Sequence, residues 1–157
     1  MEDVLKIASY VSQCYEYQFG TRIEEIKLHI LLYFIQREYI VQTEKLLFKS
    51  IFYAKSFGPY LHKVHTAYVE DDLHNALSPN SLEDFASVFN KVFSTLASKK
   101  TRSLINLVHG EHSWKTAYSK GDDTPINIGD IEKDAQRFRI RCFLLNNLED
   151  FRKPIYT

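Results

Sequence analysis

The sequence predicts a mainly α-helical fold: a compact single-domain bundle over residues 1–157, with about six helices and one or two short strands near residues 45–57. A length of 157 residues fits one domain. Hydrophobic residues make up 45% of the chain and charged residues 25%, a balance typical of globular rather than disordered proteins. Apolar side chains also recur at helical spacing along most of the chain, which predicts helices as the main element.

The first two helices are indicated by apolar periodicity and by residues suited to helix starts. Asp3 is the expected N-cap of the first helix. Its apolar side comprises Val4, Ile7, Ala8, Val11 and Tyr15. The second helix opens with "TRIE", Thr21 to Glu24, which has the form of a capping box, and is expected to end near Glu38. Apolar residues cover so much of its circumference that we expect it at the centre of the core.

Residues 45–57, "KLLFKSIFYAKSF", combine β-branched and aromatic side chains. This composition favours one or two short strands, with a helical turn as the alternative. Gly58 then lets the chain turn. Pro59 is predicted as the first residue of a third helix, because its missing N–H needs no partner there and its fixed φ suits a helix. The apolar side of that helix comprises Leu61, Val64 and Tyr68.

Two long helices are predicted in the second half of the chain. Ser81 is the expected N-cap of one of them. Its stripe is the clearest in the sequence and comprises Leu82, Phe85, Ala86, Phe89, Val92, Phe93 and Leu96. The C-terminal helix is expected over about residues 130–150, starting near Asp130. Its apolar positions are Ile131, Ala135, Phe138, Cys142 and Leu145.

Between these two helices the sequence predicts one short helix and one further turn. The short helix carries Leu104, Leu107 and Val108. It is expected to stop near Gly110, a residue type favoured just after a helix end. Ser113 is the expected cap of a single turn that carries Trp114 and Tyr118.

Charge argues against a nucleic-acid partner. Lys plus Arg and Asp plus Glu both number 20, so the net charge is zero, whereas nucleic-acid binding depends on neutralising phosphates. Two basic clusters remain, "SKK" (Ser98 to Lys100) with Arg102, and "RFRIR" (Arg137 to Arg141). Both are typical of solvated helix faces or ends. A nucleic-acid-binding role for Arg137 to Arg141 stays open as a third hypothesis and requires salt-dependent affinity.

Cysteine usage and hydropathy indicate a cytoplasmic protein with no membrane partner. Cys14 and Cys142 belong to no C-x-x-C pair and are expected to be buried free thiols. The longest apolar run, Ile30 to Ile35, is too short to span a bilayer. The N-terminus has no basic region of the kind that begins a signal peptide.

The densest polar cluster is "HGEHSW", His109 to Trp114. Its side chains His109, Glu111 and His112 have the chemistry of metal ligands, and His62 or His65 could add to them. This cluster supports a metal-dependent hydrolase as the alternative function. The order is not H-E-x-x-H, however, and Gly110 is expected to end the helix and remove the rigid spacing of paired ligands.

Other catalytic patterns do not occur in the sequence. It contains no G-x-S-x-G nucleophile elbow and no glycine-rich loop for phosphates or dinucleotides. We therefore expect a protein without catalytic residues, cofactor or resident metal, and not an enzyme.

Several segments, taken in order, resemble the Panacea domain family, which includes SocA-like antitoxins and GepA-like phage-associated proteins. The first helix is similar to the family's Val-Ala-x-Tyr-Ile helix, and "KLHILLYF" (Lys27 to Phe34) is similar to its "KLQKLLYY" helix. "FGPY" (Phe57 to Tyr60) resembles the "YGPV" signature. "LVHGEHSW" (Leu107 to Trp114) keeps Leu, His and Trp at the spacing of the family's late motif. Tyr60 stands where the family usually has Val, which indicates a divergent member.

The resemblance implies a protein-binding module that neutralises a partner toxin, as an antitoxin or as an adaptor to a ClpXP-type protease, often prophage-associated. It also implies that two motifs meet in one corner of the domain, with the adjoining surface contacting the partner. The residues expected in this corner are Phe57, Gly58, Pro59, Tyr60, His109 and Trp114. The aromatic content of 14% fits a binding role, because Tyr, Trp and Phe are favoured interface anchors.

Overall fold

A computed structural model describes residues 1–152, with side chains described through Asn146. Within that range the chain forms seven helices and three short strands, which confirms the mainly α-helical class with a few short strands. The helices are α1 (Val4–Phe19), α2 (Glu25–Thr43), α3 (His62–Val69), α4 (Pro79–Leu96), α5 (Thr101–Val108), α6 (His112–Tyr118) and α7 (Ile128–Arg152). The strands are β1 (Tyr53–Lys55), β2 (Gly58–Tyr60) and β3 (Thr124–Pro125).

Helix α2 is the centre of the fold, as its apolar circumference predicted. Its residues from Lys27 to Gln36 are buried without interruption. It packs against α1, α3, α4, α5, α7 and strand β2. Because residues 27–36 are buried, the polar side chains among them must find partners inside the protein.

Helix α2 nevertheless begins later than the capping box predicted. Glu24 occupies the N-cap position without a side-chain capping bond, and Thr21 is exposed outside the helix. The residues before α2 are instead bound to α3: the Tyr68 hydroxyl donates to the Ile23 carbonyl over 2.7 Å, and Arg22 donates to the Tyr68 carbonyl over 2.5 Å. These tertiary bonds hold Arg22 and Ile23 outside the helix.

Two other predicted helix starts are wrong. Helix α4 begins at Pro79, because Ser78 rather than Ser81 is the N-cap: the Ser78 hydroxyl accepts from the Ser81 N–H over 3.2 Å. Ser113 lies inside α6 instead of capping it, and its N–H donates to the Asp134 carboxylate over 2.8 Å. The capping group of α6 is therefore supplied by a distant helix, which local sequence does not indicate.

The three strands form one antiparallel sheet in the order β2-β1-β3. Only β1 lies within the range predicted for strands, and β3 was not predicted.

Pro59 does not start a helix, so that prediction is wrong. It lies in β2 opposite Ala54, and α3 begins three residues later at His62. A proline is compatible with β2 because β2 is an edge strand, where an N–H is not needed on the outer side.

The described residues include no helix with the length and apolarity needed to cross a bilayer. Cys14 and Cys142 are free, as expected, but both are half-buried rather than buried. Partial burial raises the pKa of the Cys14 thiol, although a hydrogen bond with Tyr10 acts in the opposite direction.

Candidate functional site

The β1–β2 hairpin is held by the rings of Trp114 and His109, which both belong to the "LVHGEHSW" segment. Trp114 Nε1 donates to the Lys55 carbonyl over 2.8 Å. His109 Nε2 donates to the next carbonyl, that of Ser56, also over 2.8 Å. The two rings stack on each other with centroids 4.2 Å apart. The "FGPY" and "LVHGEHSW" segments are thus joined by hydrogen bonds to the hairpin backbone.

Gly58 allows the hairpin to lie directly on α5 and α2. Its φ is +132°, a conformation that L side chains rarely adopt. A Cβ atom at this position would lie 2.9 Å from Val108 Cγ1 and 3.7 Å from Ile30 Cγ1. Pro59 beside it is buried, and the Phe57 ring is half-buried with its centroid 6.1 Å from that of Tyr60.

Tyr60 is half-buried, and its ring lies among three histidines. Its centroid lies 4.6 Å from that of His29, 5.0 Å from that of His62 and 5.5 Å from that of His65. Burial raises the pKa of the Tyr60 phenol, and the nearby Glu25 carboxylate raises it further. The phenol therefore stays protonated at neutral pH.

His29 is the buried member of this histidine cluster, and sequence reasoning did not select it. Its Nδ1 accepts from the Leu61 N–H over 3.2 Å, so its Nε2 carries the proton and donates to Glu25 over 2.9 Å. The same Glu25 oxygen lies 2.8 Å from His65 Nδ1. A lone histidine inside the apolar run of α2 was the available signal.

Burial and hydrogen bonding act in opposite directions on the pKa values of both His29 and Glu25. Burial lowers the pKa of His29 more than its bond to Glu25 raises it. For Glu25, partial burial acts to raise the pKa, but the hydrogen bonds from His29 and His65 outweigh it and lower the pKa. At neutral pH the folded chain thus holds a neutral His29 beside an ionised Glu25.

We expect the free energy of unfolding to fall as the pH drops below about 6.5, the ordinary pKa of histidine. His29 takes up its proton more readily in the unfolded chain, so its contribution is complete above that pH and declines below it, by at most about 1.4 kcal/mol per pH unit. Glu25 adds a decline in the same direction below its own ordinary pKa of 4.5.

Urea denaturation between about pH 7 and pH 5 measures this slope. The His29→Gln variant is expected to flatten it, whereas His74→Gln, a change at an exposed histidine, is expected to preserve it. Equal slopes in the wild type and the His29→Gln variant would show that the buried imidazole does not control the pH response.

The three proposed metal ligands of the alternative function have separate partners. His109 is stacked on Trp114 and bound to Ser56. The Glu111 carboxylate accepts from Arg37 over 2.8 Å, and the His112 ring lies 3.2 Å from the Thr116 hydroxyl. Across the part of the chain that the structure describes, no three His, Cys, Asp or Glu side chains are grouped as metal ligands.

A buried polar network lies between α2, α6 and α7. The Tyr33 hydroxyl lies 2.6 Å from the Ser113 hydroxyl and 3.2 Å from a Glu111 oxygen. Asp134 accepts from the N–H groups of His112 and Ser113 over 3.2 Å and 2.8 Å. Burial raises the pKa of Tyr33 well above its ordinary value, and the Glu111 charge raises it further. This network fixes α6, and with it Trp114, to the central helix.

A groove of about 510 Å³ opens on the solvent side of this network, between α2, α4, α5 and α7. Its apolar lining residues are Phe34, Val92, Leu96, Leu107 and Phe138. Its basic lining residues are Arg37, Lys91, Arg137 and Arg141. None of the six residues expected in the corner where the two motifs meet lines this groove. Sequence reasoning selected Glu111, His112, Arg137 and Arg141 from its lining, but for a metal site and a nucleic-acid site.

Helix α7 leaves the core partway along its length. Ile131 and Ala135 are buried, as the apolar spacing predicted. Phe138 and Cys142 are only half-buried, and Leu145 is 53% exposed. The apolar side predicted for α7 is therefore fully buried only as far as Ala135, about two turns into the helix. Among residues 1–146, the C-terminal end of α2 reaches this part of α7 at Arg139, which pairs with Glu44, and leaves Leu145 exposed.

The uncovered part of α7 carries the α7 apolar face, which comprises Ile140, Phe143, Leu144 and Leu145. These four side chains are 51%, 64%, 54% and 53% exposed. A shallow depression on this face is lined by Ile140, Leu144 and Leu145 together with Arg137 and Arg141. The two arginines also line the groove, so the groove and the α7 apolar face form one continuous surface.

Comparisons with protein-family models, curated proteins and solved structures each find no match to this chain. The resemblance to the Panacea pattern therefore depends on the sequence motifs alone.

Proposed function

We propose that this protein is a non-enzymatic protein-binding module that neutralises a partner by direct binding, in the manner of an antitoxin acting in the cytoplasm. The observation that carries the proposal is the α7 apolar face. Four large apolar side chains, each more than half exposed, fall within six consecutive residues of one helix. Three of them, Ile140, Leu144 and Leu145, line one depression. Contiguous exposed apolar surface of this kind marks interaction sites, whereas single exposed apolar residues are ordinary.

The α7 apolar face has the composition of an interface centre. Phe143 is an aromatic anchor, and aromatic side chains bury a large area at low cost in conformational entropy. Covering the exposed halves of the four side chains would contribute about 3–5 kcal/mol before the costs of association. That contribution is enough to make the face a principal part of a partner contact.

The sequence motifs support the antitoxin part of the proposal. "KLHILLYF", "FGPY" and "LVHGEHSW" resemble Panacea segments, in the family's order along the chain. The resemblance implies that the partner is a toxin. For SocA-like members it also implies that the toxin is delivered to a ClpXP-type protease. Two of these motifs build the hairpin corner, that is, the β1–β2 hairpin with His109 and Trp114. This corner supports the fold and does not contact the partner, because both rings bind the chain's own backbone.

The proposal assigns no catalytic residue. The side chains that would have served a hydrolase are engaged within the protein: Glu111 pairs with Arg37, and His109 holds the hairpin. No second function is proposed, because the side chains described through Asn146 show no grouping of metal ligands that favours one.

Co-expression with the protein encoded by the adjacent gene tests the proposal. We expect that protein to arrest growth when it is induced alone, growth to recover when this chain is co-expressed, and the two to co-purify as a complex. A neighbouring product that is harmless alone and never co-purifies with this chain would overturn the antitoxin function.

A further inference from the structure

We infer that the groove and the α7 apolar face together receive an amphipathic helix of a partner protein, and that Arg137 and Arg141 pair with carboxylates along its edge. This inference depends on the proposed function and specifies the kind of partner segment. Two linked features carry it: an apolar groove between helices and a pair of exposed guanidinium groups beside it. Helix-in-groove recognition uses this combination of an apolar floor and a charged rim.

The acidic side chains of the groove are already satisfied within the protein. Glu38 is buried and accepts from Lys91 over 2.8 Å and from Gln42 over 3.1 Å. Glu111 accepts from Arg37, and Asp134 accepts from two backbone N–H groups of α6. Glu38 and Glu111 are therefore each paired with another basic residue, and the oxygens of the buried Asp134 are taken up by α6.

Arg137 and Arg141 are the basic groups left for a partner. Both are exposed, and a spacing of four residues places them on the same side of α7. Among side chains through Asn146, neither has a carboxylate within ion-pair distance, whereas Arg139 pairs with Glu44 over 2.9 Å. Guanidinium groups beside apolar surface favour carboxylates, which they bind through paired N–H donors.

The apolar residues of this surface favour a helix as the occupant. Ile140 and Leu144 lie one turn apart on α7, and Val92 and Leu96 lie one turn apart on α4. Rows of side chains with this spacing pack into the grooves of another helix. A partner helix would place its own apolar stripe between these rows and its carboxylates toward Arg137 and Arg141.

A second copy of this chain is a less favourable occupant. A two-fold interface centred on this surface would bring the same patch of each protomer together. Arg137 and Arg141 would then face the same arginines of the other copy, and like charges brought together at an interface oppose association. A nucleic acid is also less favourable, because Ile140 and Leu144 beside the arginines offer no contact to a phosphate backbone.

The test uses two fluorescein-labelled helical peptides of about 18 residues, or five turns, with the same leucine stripe. One carries glutamates along the edges of the stripe, and the other carries lysines. Fluorescence anisotropy with the full chain is expected to give a Kd below about 100 μM for the glutamate peptide and at least about tenfold weaker binding of the lysine peptide. The Arg137→Glu/Arg141→Glu variant is expected to reverse that preference.

The control variant is Lys115→Glu/Lys120→Glu, which replaces two exposed basic residues outside the groove. It alters the net charge of the protein by the same amount as the arginine variant. It is expected to retain the wild-type preference. Equal binding of both peptides, no binding of the glutamate peptide, or the same preference in the arginine variant would overturn the inference. Tighter binding of a DNA duplex than of the glutamate peptide would also overturn it. The same holds if sedimentation experiments detect a dimer of the wild type and the Ile140→Ser/Leu144→Ser variant is a monomer.

The complex from the co-expression experiment separates this inference from the proposed function. If the adjacent gene's product binds the wild type and the Arg137→Glu/Arg141→Glu variant equally, protein binding stands and the inference fails. If that product does not bind the wild type while the glutamate peptide does, the antitoxin function fails and the peptide site stands.

Discussion

Replacing Gly58 by alanine is expected to lower the free energy of unfolding by about 2–5 kcal/mol. Two effects add. The backbone at Gly58 has a φ of +132°, which an alanine adopts only with strain. The new Cβ would also lie 2.9 Å from Val108 Cγ1, and Val108 is fully buried on α5, so either the hairpin or the helix must shift. The hairpin would then lose its alignment with His109 and Trp114.

Urea denaturation of Gly58→Ala, compared with Gly20→Ala, measures the effect. Gly20 also has a positive φ, +73°, but a Cβ there meets no heavy atom within 4 Å. The control is therefore expected to lose only about 1 kcal/mol, from its backbone alone. If the two variants lose the same stability, the close contact with Val108 has no energetic role.

The Asp134→Ala variant is expected to be destabilised by about 2–4 kcal/mol. Its carboxylate accepts from the N–H groups of His112 and Ser113 in a buried site, and alanine would leave both donors without that partner. The start of α6 would loosen, and α6 carries Trp114, which binds the hairpin. The loss is expected to reach the hairpin corner as well as the helix.

Two further variants calibrate the Asp134→Ala result. Asp134→Asn keeps one oxygen acceptor and removes a negative charge close to Glu111 and Tyr33, so a smaller loss of about 1 kcal/mol is expected. Asp84→Ala, on the exposed surface of α4, is expected to change stability by less than about 0.5 kcal/mol. If Asp134→Ala and Asp84→Ala have the same free energy of unfolding, the Asp134 carboxylate does not stabilise α6.

Helices with a strong apolar stripe were predictable, because burial of the stripe decides their structure. This holds for α1 with its Asp3 cap, which accepts from the Leu5 N–H over 2.9 Å, and for the central position of α2. Helix starts were less predictable where a tertiary bond decided them. Tyr68 of α3 binds Ile23, and Asp134 of α7 caps α6, and neither partner is near in sequence.

The hairpin was only partly predictable for a related reason. Proline is common both at helix starts and on edge strands, so Pro59 fits either local pattern. Two tertiary contacts favour the strand at Pro59 over a helix start. Pro59 pairs with Ala54 in the sheet, and Gly58 packs against Val108. These contacts come from β1 and α5, so local sequence did not determine them.

The hairpin corner could be assembled from sequence motifs, but the candidate binding surface could not. "FGPY" and "LVHGEHSW" point to Tyr60, His109 and Trp114, which do lie around one hairpin. By contrast, Leu145 continues the apolar spacing of α7 and therefore resembled a core residue. Only the packing of the other helices shows that α7 extends beyond the core and exposes this side chain.

The central claim is that the α7 apolar face binds a protein partner. Its most direct test is the affinity of the adjacent gene's product for the Ile140→Ser/Phe143→Ser/Leu144→Ser variant, measured by isothermal titration calorimetry. The control, Tyr17→Ser/Val69→Ser, changes two other exposed apolar side chains. We expect the triple variant to bind at least about a hundredfold more weakly while the control binds like the wild type. Binding of the triple variant within about twofold of the wild type would contradict the account.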